Sequence, residues 1–220
     1  MKNKLILAVV GIAMTMSLAI AFSSNANTMT FDENFFAGKD KVDAGTSGTY
    51  NFDKAHSAIG FRVKHMGLVD VPGYFRDFTG KIVYDATDVK KSTVEFTAKA
   101  TSVDTGVAGR DNHLRTADFF EVEKYPEMTF KSTSVVKKGK SWILNGDLTM
   151  KGVTKAVSFP FNIVGFVKDQ RGGTKIGVTA ETVINRRDFG VNYGGNLPNG
   201  TPVLADNIVV NFQIEGNLAK

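Results

Sequence analysis

Ser92-Thr-Val-Glu-Phe-Thr-Ala-Lys-Ala-Thr101 decides the fold. Val94, Phe96, Ala98 and Ala100 alternate with Thr93, Glu95, Thr97, Lys99 and Thr101. An extended chain puts the first set on an apolar face and the second in water, whereas a helix would scatter both sets around its axis. The same period recurs on both sides. In 58–66, Ile59, Phe61, Val63 and His65 share a face, and in 78–85 Phe78, Gly80, Ile82 and Tyr84 do. Downstream the faces are Met128, Phe130 and Val136; then Trp142, Leu144, Gly146, Leu148 and Met150. Val157, Phe159, Phe161, Ile163 and Val167 follow, then Ile176, Val178, Ala180, Thr182 and Ile184, and finally Ile208, Val210, Phe212 and Ile214. Eight strands result, and 48–54 offers a short ninth.

Lys138-Gly139-Lys140, Met150-Lys-Gly152-Val153 and Arg171-Gly-Gly173 are tight turns, so successive strands are antiparallel neighbours. Long antiparallel strands with one apolar face can close into a barrel, which leaves no free edge. A two-sheet sandwich with a filled core is the competing arrangement. In the barrel, Phe61, Phe96, Phe130, Phe159, Phe161 and Phe212 point inward, with His65 and with Gly80, Gly146, Gly165 and Gly216 in the same phase. Small inward residues either leave space or mark bends. Outward Arg62, Lys64, Lys99, Lys131 and Asp147 argue against a membrane-spanning barrel.

One stretch breaks the alternation. Asp104-Thr-Gly-Val-Ala-Gly-Arg-Asp-Asn-His-Leu-Arg-Thr-Ala-Asp-Phe-Phe-Glu-Val-Glu-Lys-Tyr-Pro126 brings Arg110, Asp111, His113 and Arg115 close together, beside Phe119, Phe120 and Tyr125. Residues 107–121 are expected to be partly helical, with 111–121 free of Gly and Pro and Pro126 as the stop. Arg110, His113 and Arg115 can neutralise an anionic head group. Equally, Arg110 and Asp111 can pair with strand ends or cap the helix and close one end of the barrel. Arg186 is read as reaching the barrel mouth or pairing with Asp188 or Asp104. His56 is expected to bond locally to Asp53 or Ser57. His56, His65 and His113 lack the close paired spacing of a metal site.

The chain begins with Lys2 and Lys4, an uncharged apolar run over 5–22 and Ser24-Asn25-Ala26. This pattern is a secretory signal peptide over 1–26 with a mature end at Asn27, and it implies a periplasmic protein. The competing reading is a retained anchor, since the run approaches the length that spans a bilayer. Residues 27–47 show no period and are read as an N-terminal arm or linker, which leaves 48–220 as the domain. Removing the leader takes two Lys and no acid, leaving 25 cations against 22 carboxylates. That weak excess, without a Lys/Arg run, excludes nucleic acid as an expected partner. Cysteine is absent, so there is neither a disulfide framework nor thiol chemistry. No Gly-x-Ser-x-Gly elbow or nucleotide-binding glycine pattern occurs.

Ordered motifs then accumulate: Asp53-x-x-His56-Ser57, Phe61-x-Val63-Lys64-His65, Gly73-x-Phe75-x-x-Phe78-x-Gly80 and Asp104-Thr105-Gly106. Arg110-Asp111-x-His113-Leu114-Arg115, Asp118-Phe119-Phe120, Tyr125-Pro126-x-Met128-x-Phe130, Gly146-x-Leu148-Thr149-x-x-Gly152-Val153-Thr154-Lys155 and Asn185-Arg186-x-Asp188-Phe189-Gly190 follow. With these the chain resembles the YceI-like family of exported, polyisoprenoid-binding, lipocalin-like proteins, from Tyr50 to about Leu218. The resemblance implies an all-β, eight-stranded antiparallel lipocalin-like barrel with a short helical insertion. It implies a long isoprenoid ligand, such as a polyprenyl phosphate or isoprenoid quinone, and no cofactor beyond that lipid. The lipid-binding candidates are Phe61, His65, Phe96, Phe130, Phe159, Phe161, Phe212, Arg110, His113 and Arg186; no catalytic residue is expected. A homodimer and a membrane cytochrome partner are family-level expectations that the resemblance raises. Two other classes stay open: an enzyme acting on an isoprenoid with His113 or His65 as acid/base, and a structural or stress protein with a packed barrel.

Overall fold

Alternation along the chain becomes one sheet whose two ends meet. The computed structural model describes residues 45–139 and 141–220. The proposed leader and most of the arm, 1–44, lie outside the described residues. Strands β1 (Gly48–Phe52), β4 (Phe78–Tyr84), β5 (Thr93–Lys99), β7 (Glu127–Lys138), β8 (Ser141–Met150), β9 (Val153–Lys168), β10 (Thr174–Asn185) and β11 (Asn207–Leu218) pair in that order. All pairings are antiparallel, and β11 returns to β1, so the barrel is closed by eight strands. The 48–54 segment is therefore the strand that shuts the barrel rather than an optional ninth.

Three further strands, β2 (Ala58–His65), β3 (Val69–Phe75) and β6 (Val103–Asp104), extend the wall at one end. β11 holds β1 through residues 216–218 and β2 through 209–213, making β1 and β2 two lengths of one stave. The 3-10 turn Lys54–His56 separates them; Asp53 starts it by accepting from the Ala55 N–H. β4 and β3 continue each other across 76–77 in the same way, and β5 and β6 across the turn Ala100–Ser102. Strand β3 is invisible to the alternation because Pro72 and Gly73 interrupt it. Pro72 sits opposite Arg62, at a place where a strand tolerates a missing donor.

Two bulges correct the expected faces. Between Ser132 and Ser134 the register with β8 shifts, and the phase flips: Val135 is buried and Val136, read as inward, is exposed. Between Gly177 and Val178 the register with β9 skips Val164, so Phe166 is buried while Val167 faces solvent. One extra residue in a strand sends every later side chain to the opposite face and sharpens the twist that closure needs.

Helix α1 (Ala108–Leu114) stands where the sequence expects helix but ends sooner. Thr116 Oγ1 donates to the His113 carbonyl, and Glu121 adopts a positive φ that no helix continues, well before Pro126.

Candidate functional site

Two chambers lie on the barrel axis. The outer one, about 400 Å3, occupies the end walled by β2, β3 and the 104–126 excursion. Its wall is almost entirely apolar: Ile59, Phe61, Val63, Val71, Phe75, Ala98, Met128, Leu148, Met150, Ile184, Ile208 and Val210. The inner one is about 70 Å3 and is walled by Phe52, Ile82, Val94, Val135, Leu144, Phe161, Ile163, Ile176, Val178 and Ile214. Phe96, Phe159 and Phe212 line both. The expected ring set is thus divided: Phe61 belongs to the outer chamber, Phe130 and Phe161 to the inner, and the other three to the partition. The inward glycines do not leave free space. A Cβ on Gly146 would lie 2.5 Å from the Phe130 ring, and one on Gly80 would lie 2.5 Å from the Phe52 ring. These two glycines make room for neighbouring rings, whereas a Cβ on Gly216 would meet the Ile176 side chain at 3.0 Å, and Gly165, expected inward, lies past the bulge at Val164 and leaves the inward phase to Phe166.

Polar groups gather at the outer mouth. Asp111, buried, accepts from the Thr105 N–H through Oδ1 at 2.9 Å. Arg110 donates from Nε to Thr105 Oγ1 at 2.7 Å and from Nη2 to the Thr105 carbonyl at 2.9 Å. Arg115 donates to the carbonyls of Thr101 and Val103, at 2.8 and 2.9 Å. These bonds tie the excursion to the end of the β5/β6 stave, so the polar cluster is largely a latch that carries α1 across the opening. His113 is 2.7 Å from Asp118 through Nε2, and its ring packs edge-on to Phe119 and Tyr193, with centroids 5.1 and 4.7 Å away. His65 reaches the same rim from the end of β2.

Arg186 is the buried cation of the site. It starts the 3-10 turn Arg186–Phe189 that ends β10, with Asn185 accepting from the Arg187 N–H. Its Nε donates to the Ala205 carbonyl at 3.0 Å and Nη1 to the Val191 carbonyl at 2.8 Å. Nη2 meets Asp206 Oδ1 at 2.9 Å and the Leu204 carbonyl at 3.4 Å. The acid partner is therefore Asp206, not Asp188 or Asp104; the loop 190–206 folds back to bring it there. Arg187 Nε takes the same Oδ1 at 2.7 Å, so two guanidiniums share one carboxylate and a positive charge is left over. Burial draws the Arg186 pKa downward, yet guanidinium stays protonated at any ordinary pH. Tyr193, Val203 and Leu204 of this loop also line the outer chamber; having no period, they carried no sequence signal.

His56 bonds to Asp53 through Nδ1 at 3.0 Å, as expected. Asp53, His56 and Glu215 are the one cluster with metal-ligand spacing among the described residues, and it includes neither His65 nor His113. The Lys175 ammonium already fills it, 2.6 Å from Glu215 Oε1 and 3.4 Å from Asp53 Oδ2. A cation is present, and it belongs to the chain.

Fold and site together define a lipocalin-like antiparallel barrel with an apolar cavity and a cationic mouth. The chain belongs to the YceI-like domain family, whose model matches residues 50–216. Protein YceI of Escherichia coli O157:H7 is 42% identical over 144 residues, 64% of this chain and 75% of that one. A crystal structure of the Campylobacter jejuni YCEI protein superposes with a TM-score of 0.61 at 34% identity, covering 76% of this chain and 96% of the other. A polyisoprenoid binding domain from Saccharophagus degradans shares the fold at a TM-score of 0.59 and 16% identity, over 79% of this chain and all of that one.

Proposed function

We propose that this protein binds a long isoprenoid lipid, a polyprenyl phosphate or an isoprenoid quinone, and holds it in the periplasm. The observation that carries this reading is an apolar outer chamber with one buried guanidinium in its wall. Hydrocarbon gains from leaving water for such a wall, and a cavity near 400 Å3 lies within the roughly 300–1,000 Å3 of pockets that enclose small ligands. Four of the five Arg186 N–H groups are engaged, which leaves one on Nη1 for an oxygen of the head group. Arg110 and His113 stand at the same rim. The polyisoprenoid binding domain of shared fold supports the ligand class, and the leader-like residues 1–26 support export. Binding rather than turnover is the reading an apolar cavity with a cationic mouth supports best.

Native mass spectrometry of protein purified from its own envelope tests this. A stoichiometric lipid adduct on a chain lacking residues 1–26 is expected. Val210→Glu, which places a carboxylate in the apolar wall, should strip the adduct from protein that still folds by circular dichroism. Arg110→Ala should weaken an anionic lipid severalfold and leave a neutral quinone unchanged. If Arg110→Ala strips the lipid and folded Val210→Glu keeps it, the cavity is not the binding site.

A further inference from the structure

The partition between the chambers has no hydrogen bond holding it. Phe96, Phe130, Phe159 and Phe212 form a closed circuit of rings, with successive centroids 5.5, 5.1, 5.3 and 5.4 Å apart. Phe130 lies over Gly146 and lines only the inner side. The other three face a void on each side and are held by packing alone. Side chains in such a place can change rotamer without breaking a polar bond.

Behind them the inner chamber is apolar. Only Ser92 and Tyr84 of its lining carry a hydroxyl, and Ser92 Oγ is engaged by the Asp85 N–H at 3.0 Å. A void walled by Ile, Leu, Val and Phe does not hold ordered water, but it does hold hydrocarbon. It is also a dead end. Tyr50, Tyr84 and Phe166 pack together at the closed end, and Tyr50 Oη donates to the Thr46 carbonyl at 2.7 Å. Among the described residues, charged side chains line only the outer chamber, so a chain anchored there by its head points its tail at the three rings.

We propose that the inner chamber is a second ligand compartment, gated by Phe96, Phe159 and Phe212, that takes the tail end of a hydrocarbon chain and so sets the longest chain enclosed in full. This rests on the lipid-binding reading. It adds a length selector to it: short chains bind without moving the rings, and longer ones must turn them aside.

The test uses geraniol, farnesol, geranylgeraniol and solanesol, with a parallel series of straight-chain alcohols, titrated into delipidated protein. In the wild type each added isoprene unit that finds wall should lower Kd about tenfold, and the gain should fade once the outer chamber is full. Phe212→Ala should carry the gain on to a longer prenol, about tenfold tighter than wild type there. If Phe212→Ala does not fold, Phe212→Leu makes the same test. Val178→Phe, which fills the inner chamber, should weaken the longest tightly held prenol about tenfold and leave geraniol unchanged. An identical length dependence in all three proteins overturns the gate and leaves the lipid reading standing. Failure of every alcohol to bind any of the proteins overturns both.

Discussion

The two halves of this barrel are cut from the same strands, yet the inner keeps a void of only about 70 Å3 and the outer one of about 400 Å3. In the inner half, rings lean over glycines and the end is stoppered by Tyr50, Tyr84 and Phe166. In the outer half, three staves break, at Lys54–His56, at 76–77 and at Ala100–Ser102, and a latched excursion takes over part of the wall. Strand alternation is alike in both. The contrast teaches that alternation decides which side chains enter a barrel, while stave breaks and ring orientation decide whether they fill it.

The largest expected effect breaks or sustains that contrast directly. Phe130 and Met128 are buried on one face of β7, two residues apart, the first against the inner half and the second against the outer chamber. Phe130→Ala should cost about 3–5 kcal/mol in urea unfolding and Met128→Ala about 2 kcal/mol, because a wall that already faces a void loses fewer contacts. Equal costs would mean that the outer half is packed as tightly as the inner.

At the mouth, Arg186→Met should lose about 2–3 kcal/mol, since the carbonyls of Val191, Leu204 and Ala205 are then buried without their donor. The expected signature is loss of protection of the 190–206 backbone in hydrogen exchange, with the β7–β8 pairing unaffected. Uniform loss across the barrel would show that mouth and core are one cooperative piece.

A smaller effect tests the glycine reading. Gly146→Ala pushes a methyl against the Phe130 ring and the Lys131 carbonyl, each 2.5 Å from where the new Cβ would stand. A cost of about 1–3 kcal/mol is expected, read as a lower unfolding midpoint. Combining it with Phe130→Ala should recover part of that cost, because the ring is gone. Simple additivity would show that the ring is not what the glycine accommodates.

The smallest effect concerns pH. Asp53 is held well below the ordinary carboxylate range, first by its bond to His56 and then by Asn217 and Lys175. A depressed folded-state pKa stabilises above the unfolded value and is lost as pH falls, so this contribution is full above about pH 4 and fades below it. The Tm gap between wild type and Asp53→Asn should therefore be wider at about pH 6 than at about pH 3. A gap that does not narrow in acid would mean that the carboxylate charge is not what Asp53 contributes.

The residues themselves say how far the sequence can be read. Alternation around Phe96, Phe159 and Phe212 places those rings inside, because period two is a local property of an extended backbone. The chain cannot announce its bulges: Thr133 and Val164 are ordinary strand residues, and only pairing with β8 and β10 makes each the extra one. Hence alternation alone expects Val136 and Val167 inside, and both stand outside. Arg110, His113 and Arg186 are legible as mouth residues from their motifs, but the partner of Arg186 is not, since Asp206 lies 20 residues away across an aperiodic loop.

What the sequence determined by itself was therefore a set of antiparallel strands with an aromatic interior, a helical interruption and a polar mouth, since hydrophobic period and turn chemistry act over a few residues; a barrel rather than a two-sheet sandwich was implied only by the resemblance of its motifs. What only the tertiary structure decided was the division of the interior into two chambers. Whether Phe130 lies over Gly146 or points into a void depends on rings from β5, β7, β9 and β11 meeting at one level, and that level is fixed by stagger between strands far apart in the chain.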